Sequence, residues 1–176
     1  HAVISIGHSH PTYVKNISEQ VSKLGFYSNS IQNPLQELLA KNLGVLSGCE
    51  SYDLFLCNSG AEANENALKL ASFHTGKKKV LAFHNSFHGR TSSAVAATDN
   101  PKIVAPLNAQ HQVDFVALGD LAAVAAILEQ EETCAVIVEC IQGVGGLDEN
   151  SSEFYQGVAK LCAQYGALFI ADEVQS

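Results

Sequence analysis

Three short polar segments of this 176-residue chain follow apolar runs directly, and their residue types are those that hold anions, planar rings and carboxylates. The first, Asn58-Ser59-Gly60-Ala61-Glu62-Ala63-Asn64, runs straight into a helical pattern. Gly60 permits close approach to the backbone, and the free N–H groups and dipole of a helix start attract a phosphate. Ser59 followed by Glu62 also makes an ordinary capping box, so the segment suits a structural role equally well. The second is His84-Asn85-Ser86-Phe87-His88-Gly89-Arg90. Phe87 can lie flat on a planar ligand or fill the core. Arg90, the only arginine, can grip a carboxylate through two parallel hydrogen bonds or form a surface ion pair. His84 with His88, and His8 with His10, raise a metal site, but no third ligand stands at a recognisable spacing, and none is assigned. The third segment, Asp172-Glu173-Val174-Gln175, emerges from the apolar run Leu168-Phe169-Ile170-Ala171. A carboxylate delivered there is costly unless a cation or strong donors compensate it, which a protonated pyridine nitrogen would do. A metal ligand or a helix cap are the other roles open to Asp172. Glu139 and Gln142 follow a further apolar run and add polar groups to the same rim.

The elements that carry these segments alternate. Apolar positions Val14, Ile17, Val21 and Leu24 recur at helical spacing between Pro11 and Gly25, and Leu35, Leu38, Leu39, Leu43 and Leu46 do the same between Pro34 and Gly48. Beyond residue 48 the rhythm changes. Strands are predicted over residues 52–57, 80–83, 113–116, 135–138 and 167–171, and helices over 61–73, 121–128 and 154–162. Alternating strands and helices imply an α/β fold with a mostly parallel central sheet covered by helices. Runs such as Ala135-Val136-Ile137-Val138, apolar on both faces, fit a sheet buried between helix layers. Such sheets bind ligands beyond the carboxyl ends of their strands, where the three polar segments stand.

Composition narrows the function classes. A formal charge of -8 with one arginine argues against a nucleic-acid partner, because phosphate backbones are held by many Lys and Arg. Lys77-Lys78-Lys79 reads as a solvated turn. Five cysteines without a CxxC pair fit a reducing cytoplasm, and no apolar stretch approaches the roughly 18 residues of a membrane span. The chain opens on His1-Ala2-Val3-Ile4, in what reads as ordered structure, and contains no Met. A fragment of a longer protein is the expectation.

Taken in order, five motifs resemble the class III pyridoxal-phosphate-dependent aminotransferases, most closely the acetylornithine branch. They are Gly7-His8-Ser9-His10-Pro11, Asn58 to Glu65, Phe87-His88-Gly89-Arg90, Val138-Glu139-Cys140-Ile141-Gln142-Gly143 and Asp172-Glu173-Val174-Gln175. The resemblance implies the large cofactor domain of a fold type I enzyme, like aspartate aminotransferase. Residues 1–48 would form a helical lead-in and 49–176 the first part of that domain, with its remainder and a small carboxyl-terminal domain outside the chain. It implies pyridoxal 5'-phosphate as cofactor, with Gly60 and Ala61 as backbone donors to the phosphate and Ser59 beside them. Phe87 and Val174 would pack on the two ring faces, Asp172 would pair with the ring nitrogen, Gln175 would lie near the ring hydroxyl, and Arg90 would hold the substrate α-carboxylate. The implied reaction moves the terminal amine of N-acetylornithine to 2-oxoglutarate, in arginine biosynthesis, within a homodimer. Succinylornithine, ornithine and 4-aminobutyrate stay open as donors, because Val144 stands where many relatives carry Glu. A silent cofactor-binding or anion-binding module is also open, because the Schiff-base lysine matches none of the nine lysines here.

Overall fold

A computed structural model describes residues 4–28 and 30–176 of the chain. The expected ordered start at His1, Ala2 and Val3 lies outside the described residues. The chain divides into two units, with the boundary after Phe55.

In the first unit, proline opens both helices, where its missing N–H costs nothing. Helix α1 spans Pro11–Lys23 and α2 spans Pro34–Ser47. The Asn33 side chain accepts the Leu35 N–H at 3.0 Å, and Gly48 ends α2 in the left-handed conformation. The apolar stripe predicted on α1 forms, and Val14, Ile17 and Val21 stand about half exposed on it (49%, 51% and 63%).

The second unit runs α3 (Gly60–Thr75), β1 (Lys79–Phe83), α4 (Ser92–Ala96), two 3-10 turns, β2 (Val113–Val116), α5 (Leu121–Leu128), β3 (Thr133–Val138), α6 (Ser152–Tyr165) and β4 (Leu168–Ala171). The four strands form one parallel sheet in the order β2-β1-β3-β4. The α/β expectation therefore holds, and the physical reason is visible in β3, whose six residues are all buried. Leu81, Phe83, Val136 and Val138 point to the face covered by α5 and α6, packing with Val124, Leu128 and Val158. Val80, Ala82, Ala135 and Ile137 point to the other face, against Leu68 and Ala71 of α3. Side chains alternate across the sheet, so a strand with helices on both sides must be apolar throughout.

One strand expected from sequence does not form. Residues 52–57 pair with no strand among the described residues, and Tyr52 and Phe55 are 75% and 65% exposed. An apolar run becomes a strand only where a neighbour takes its backbone hydrogen bonds. None of the four strands does so here.

The strand order positions the site. The chain leaves β1 toward β2 across the α3 face and returns past β1 to β3 across the α5 face, so the connections reverse direction between β1 and β3. The crevice outside the carboxyl ends of strands at such a switch point is where α/β sheets bind ligands. Phe83 is in register with Val116, and Val138 with Ala171, so the strands finish level. The His84 N–H reaches Val116 O at 2.9 Å and the Asp172 N–H reaches Val138 O at 2.8 Å, which carries the segments after β1 and β4 onto one rim.

Candidate functional site

Asp172 is the electrostatic centre of that rim. It is 5% exposed, and three donors satisfy it. Its Oδ2 lies 2.7 Å from His88 Nδ1 and accepts the Asn64 amide at 2.7 Å, while its Oδ1 accepts the Val174 N–H at 3.2 Å. Burial alone would raise the pKa of this carboxyl. The hydrogen bond and favourable field of His88, the Val174 N–H and the Asn64 amide together outweigh burial and hold it below the usual aspartate range. Asp172 is therefore ionised at neutral pH, and Oδ1 retains a lone pair for a further donor.

The same Asn64 amide also donates to His88 O at 2.8 Å. Asn64 lies one helical turn beyond Gly60, roughly 6 Å along the axis, and its amide ties the carboxylate to that part of α3. Val174 closes the gap from the other side, because a Cβ placed on Gly60 would lie 2.6 Å from Val174 Cγ1. Only glycine leaves room there. The side chain of Ser59 caps α3 by accepting the Glu62 N–H at 3.2 Å and donating to Glu62 Oε2 at 2.8 Å. The N–H groups of Gly60 and Ala61 find no acceptor among the described residues, as the first donors of a helix must not within their own helix.

Phe87 is half-buried, and its N–H donates to Glu139 Oε1 at 2.8 Å. Glu139 Oε2 accepts the Gly143 N–H at 3.1 Å, so one buried carboxylate ties the segments after β1 and β3 together. Burial pushes the Glu139 carboxyl up, and these two N–H donors offset only part of that. Gln142, 1% exposed, donates its amide to His84 O at 2.8 Å, and Gln175 lies against Gly143. Arg90 is exposed and joins no ion pair among the described residues. Its neighbour Gly89 has φ 133°, and a Cβ there would lie 2.6 Å from Ala61 Cβ.

The eight residues given a cofactor or substrate role by the resemblance lie at the start of α3 and on the segments after β1 and β4, while His8 and His10 belong to the first unit. Sequence reasoning missed Asn64 and the role of His88. The two histidines raised as a metal pair go separate ways, His84 to Asp99 at 3.2 Å and His88 to Asp172. Their signal was faint, since 84 and 108 residues separate His88 and Asn64 from the carboxylate. A buried acid does, however, require donors from somewhere in the chain.

The donor set fits the pyridoxal phosphate that the sequence resemblance implies. Two open N–H groups at a helix start suit a phosphate, and an ionised, buried carboxylate one turn away suits a protonated ring nitrogen. The absence of a side chain at Gly60 lets Val174 approach this turn closely, and any substitution there would force a shift.

Comparison with known proteins agrees. The class-III aminotransferase family profile matches residues 1–176. The chain is 40% identical over 99% of its length to acetylornithine aminotransferase of Halalkalibacterium halodurans, and 41% identical over 99% to the acetylornithine/succinyldiaminopimelate aminotransferase of Yersinia pestis. It spans 45% and 44% of those relatives. Among solved structures, the ornithine aminotransferase of Toxoplasma gondii, with partial occupancy of PLP at its active site, superposes with a TM-score of 0.87 at 26% identity. That match covers 99% of this chain and 43% of the other. Ornithine δ-aminotransferase of Plasmodium falciparum superposes at 0.76, with 29% identity and coverage of 99% and 42%. With the family profile matched over residues 1–176 and the fold shared with solved aminotransferases, the chain belongs to the class-III aminotransferases.

Proposed function

We propose that this chain carries part of the active site of an aminotransferase that moves the terminal amine of N-acetylornithine to 2-oxoglutarate, as a step of arginine biosynthesis. The observation that carries the proposal is the tie between Asn64 and Asp172, which sets an ionised carboxylate one turn from an open helix start. Pyridoxal phosphate, when bound, supplies an electron sink for the carbanion at the carbon that bore the amine. The protein's part is to hold and tune. Gly60 and Ala61 would receive the phosphate on their N–H groups, and the Ser59–Glu62 cap fixes that first turn. Asp172 Oδ1 would accept a hydrogen bond from the protonated ring nitrogen, and because its own pKa is held low the proton would stay on the ring. Phe87 and Val174 would pack on the two ring faces and exclude water, and Gln175 would stand by the ring hydroxyl. Arg90, which joins no ion pair among the described residues, would take the donor's α-carboxylate through a forked hydrogen bond.

The names of the 40% identical relatives support N-acetylornithine as donor. We infer from the resemblance that the full-length protein acts as a cytoplasmic homodimer; the charge of -8 argues against a nucleic-acid partner, and no helix among the described residues is long and apolar enough to cross a membrane. The test is the visible absorbance of the full-length protein with cofactor bound. N-acetylornithine bleaches it and 2-oxoglutarate restores it. Bleaching by succinylornithine, ornithine or 4-aminobutyrate in its place assigns a sibling activity, and a spectrum that no amine changes refutes the aminotransferase.

A further inference from the structure

Glu65, which faces α4 from the second turn of α3, has an unusual number of backbone partners for a half-buried acid. Its Oε1 accepts the Ser93 N–H at 3.0 Å, and its Oε2 accepts the N–H groups of Ser93 at 2.8 Å and Ala94 at 3.1 Å and the Thr91 hydroxyl at 2.8 Å. Helix α4 has only five residues and cannot hold itself. Thr91, at its N-cap position, caps nothing, because its hydroxyl is directed to Glu65 and to Ala61 O at 3.2 Å. The cap comes instead from a different helix.

The consequence falls on Arg90. On one side of it, His88 O is held by Asn64 and Gly89 is pressed on Ala61. On the other, Thr91, Ser93 and Ala94 are held by Glu65. The arginine makes no ion pair of its own among the described residues, so these two staples to α3 decide where its side chain starts. We infer that Glu65 is a positioning residue for carboxylate recognition. It locks the backbone of Arg90 to the same helix whose first turn grips the cofactor phosphate, and so fixes the distance between cofactor and donor carboxylate. This rests on the proposal that Arg90 binds that carboxylate.

The test uses the full-length enzyme loaded with cofactor and two donors in single turnover. They are N-acetylornithine and N-acetylputrescine, the same amine without the carboxylate. The ratio of their kcat/KM values measures carboxylate recognition. Arg90→Ala tests the underlying proposal alone, and it must collapse the ratio. Glu65→Gln must lower the ratio about tenfold or more, chiefly through KM for N-acetylornithine, since small misplacements of a binding group have effects of that size. Thr91→Val, which removes one donor to Glu65 at nearly constant volume, must lower the ratio in the same direction and serves if Glu65→Gln does not fold. The double variant Glu65→Gln/Arg90→Ala must fall no further than Arg90→Ala. If Arg90→Ala collapses the ratio but the Glu65 and Thr91 variants leave it unchanged, or slow both donors equally, Glu65 is a structural cap and the inference is wrong. If Arg90→Ala itself leaves the ratio intact, the assignment of Arg90 fails, and this inference fails with it.

Discussion

At the scale of single residues, the site depends on a buried acid that stays ionised. Asp172 gains donors from Asn64, His88 and Val174, and each is on a different segment or a later turn. Because its folded pKa lies below the ordinary value, the native state binds fewer protons than the unfolded chain through the acid range. Its contribution to stability is therefore fully present above the ordinary aspartate pKa and is lost as pH falls through the lower folded value. His88→Leu removes the strongest donor, so it should lower stability at neutral pH by about 1–2 kcal/mol, the worth of a hydrogen bond to a charged group less relief of the unpaired His88 Nε2. It should also move the acid limb of the stability curve to higher pH. Urea titrations from pH 3 to pH 7, a range of about four units around the carboxylate pKa, follow both effects. His88→Asn, whose amide can stand near Nδ1, should recover most of the loss. The residues of the rim were legible in sequence where a residue type announces itself at a strand end, as Asp172, Phe87 and Arg90 do. His88 and Asn64 were not, because a carboxylate's partners arrive through folding from distant positions.

At the scale of elements, the start of α3 carries the largest demand. Its cap, Ser59 with Glu62, was legible because capping boxes are local. The approach of Val174 to Gly60 was not, since it joins elements 114 positions apart by the sequence numbering. Gly60→Ala places a methyl 2.6 Å from Val174 Cγ1, and something must move. Forced overpacking of this kind costs about 1–3 kcal/mol. Part of that should appear as weaker cofactor binding, measured by dialysis against pyridoxal phosphate, and an unchanged affinity would mean that the turn does not touch it. Helix α4 escaped notice because five residues show no helical period and its cap lies on α3. The predicted strand at residues 52–57 failed for the converse reason. Its pattern is sound, but periodicity reports what a segment can pair with, not whether a partner is there.

At the scale of the molecule, alternating periods were enough to give the α/β class and the parallel sheet, because a doubly covered strand such as β3 is apolar on both faces after its first residue, Thr133. Exposure on the outside is another matter. Val14, Ile17 and Val21 on α1 and Leu70 and Phe73 on α3 are 49–76% exposed. Apolar groups in such numbers drive association. The 176-residue chain alone should therefore self-associate in sedimentation velocity, and a clean monomer at tens of micromolar, a range of about 10–100 µM typical for association-prone species, would count against that. The central claim, that Asp172 and the first turn of α3 hold the two ends of one cofactor, has a more direct test. Full-length apoprotein is titrated with pyridoxal phosphate and binding is followed by absorbance, for the wild type and for Asp172→Ala. Saturable binding that weakens at least about tenfold in the variant, the loss of roughly 1.4 kcal/mol, is the predicted result. Equal affinity in the two proteins would contradict the account.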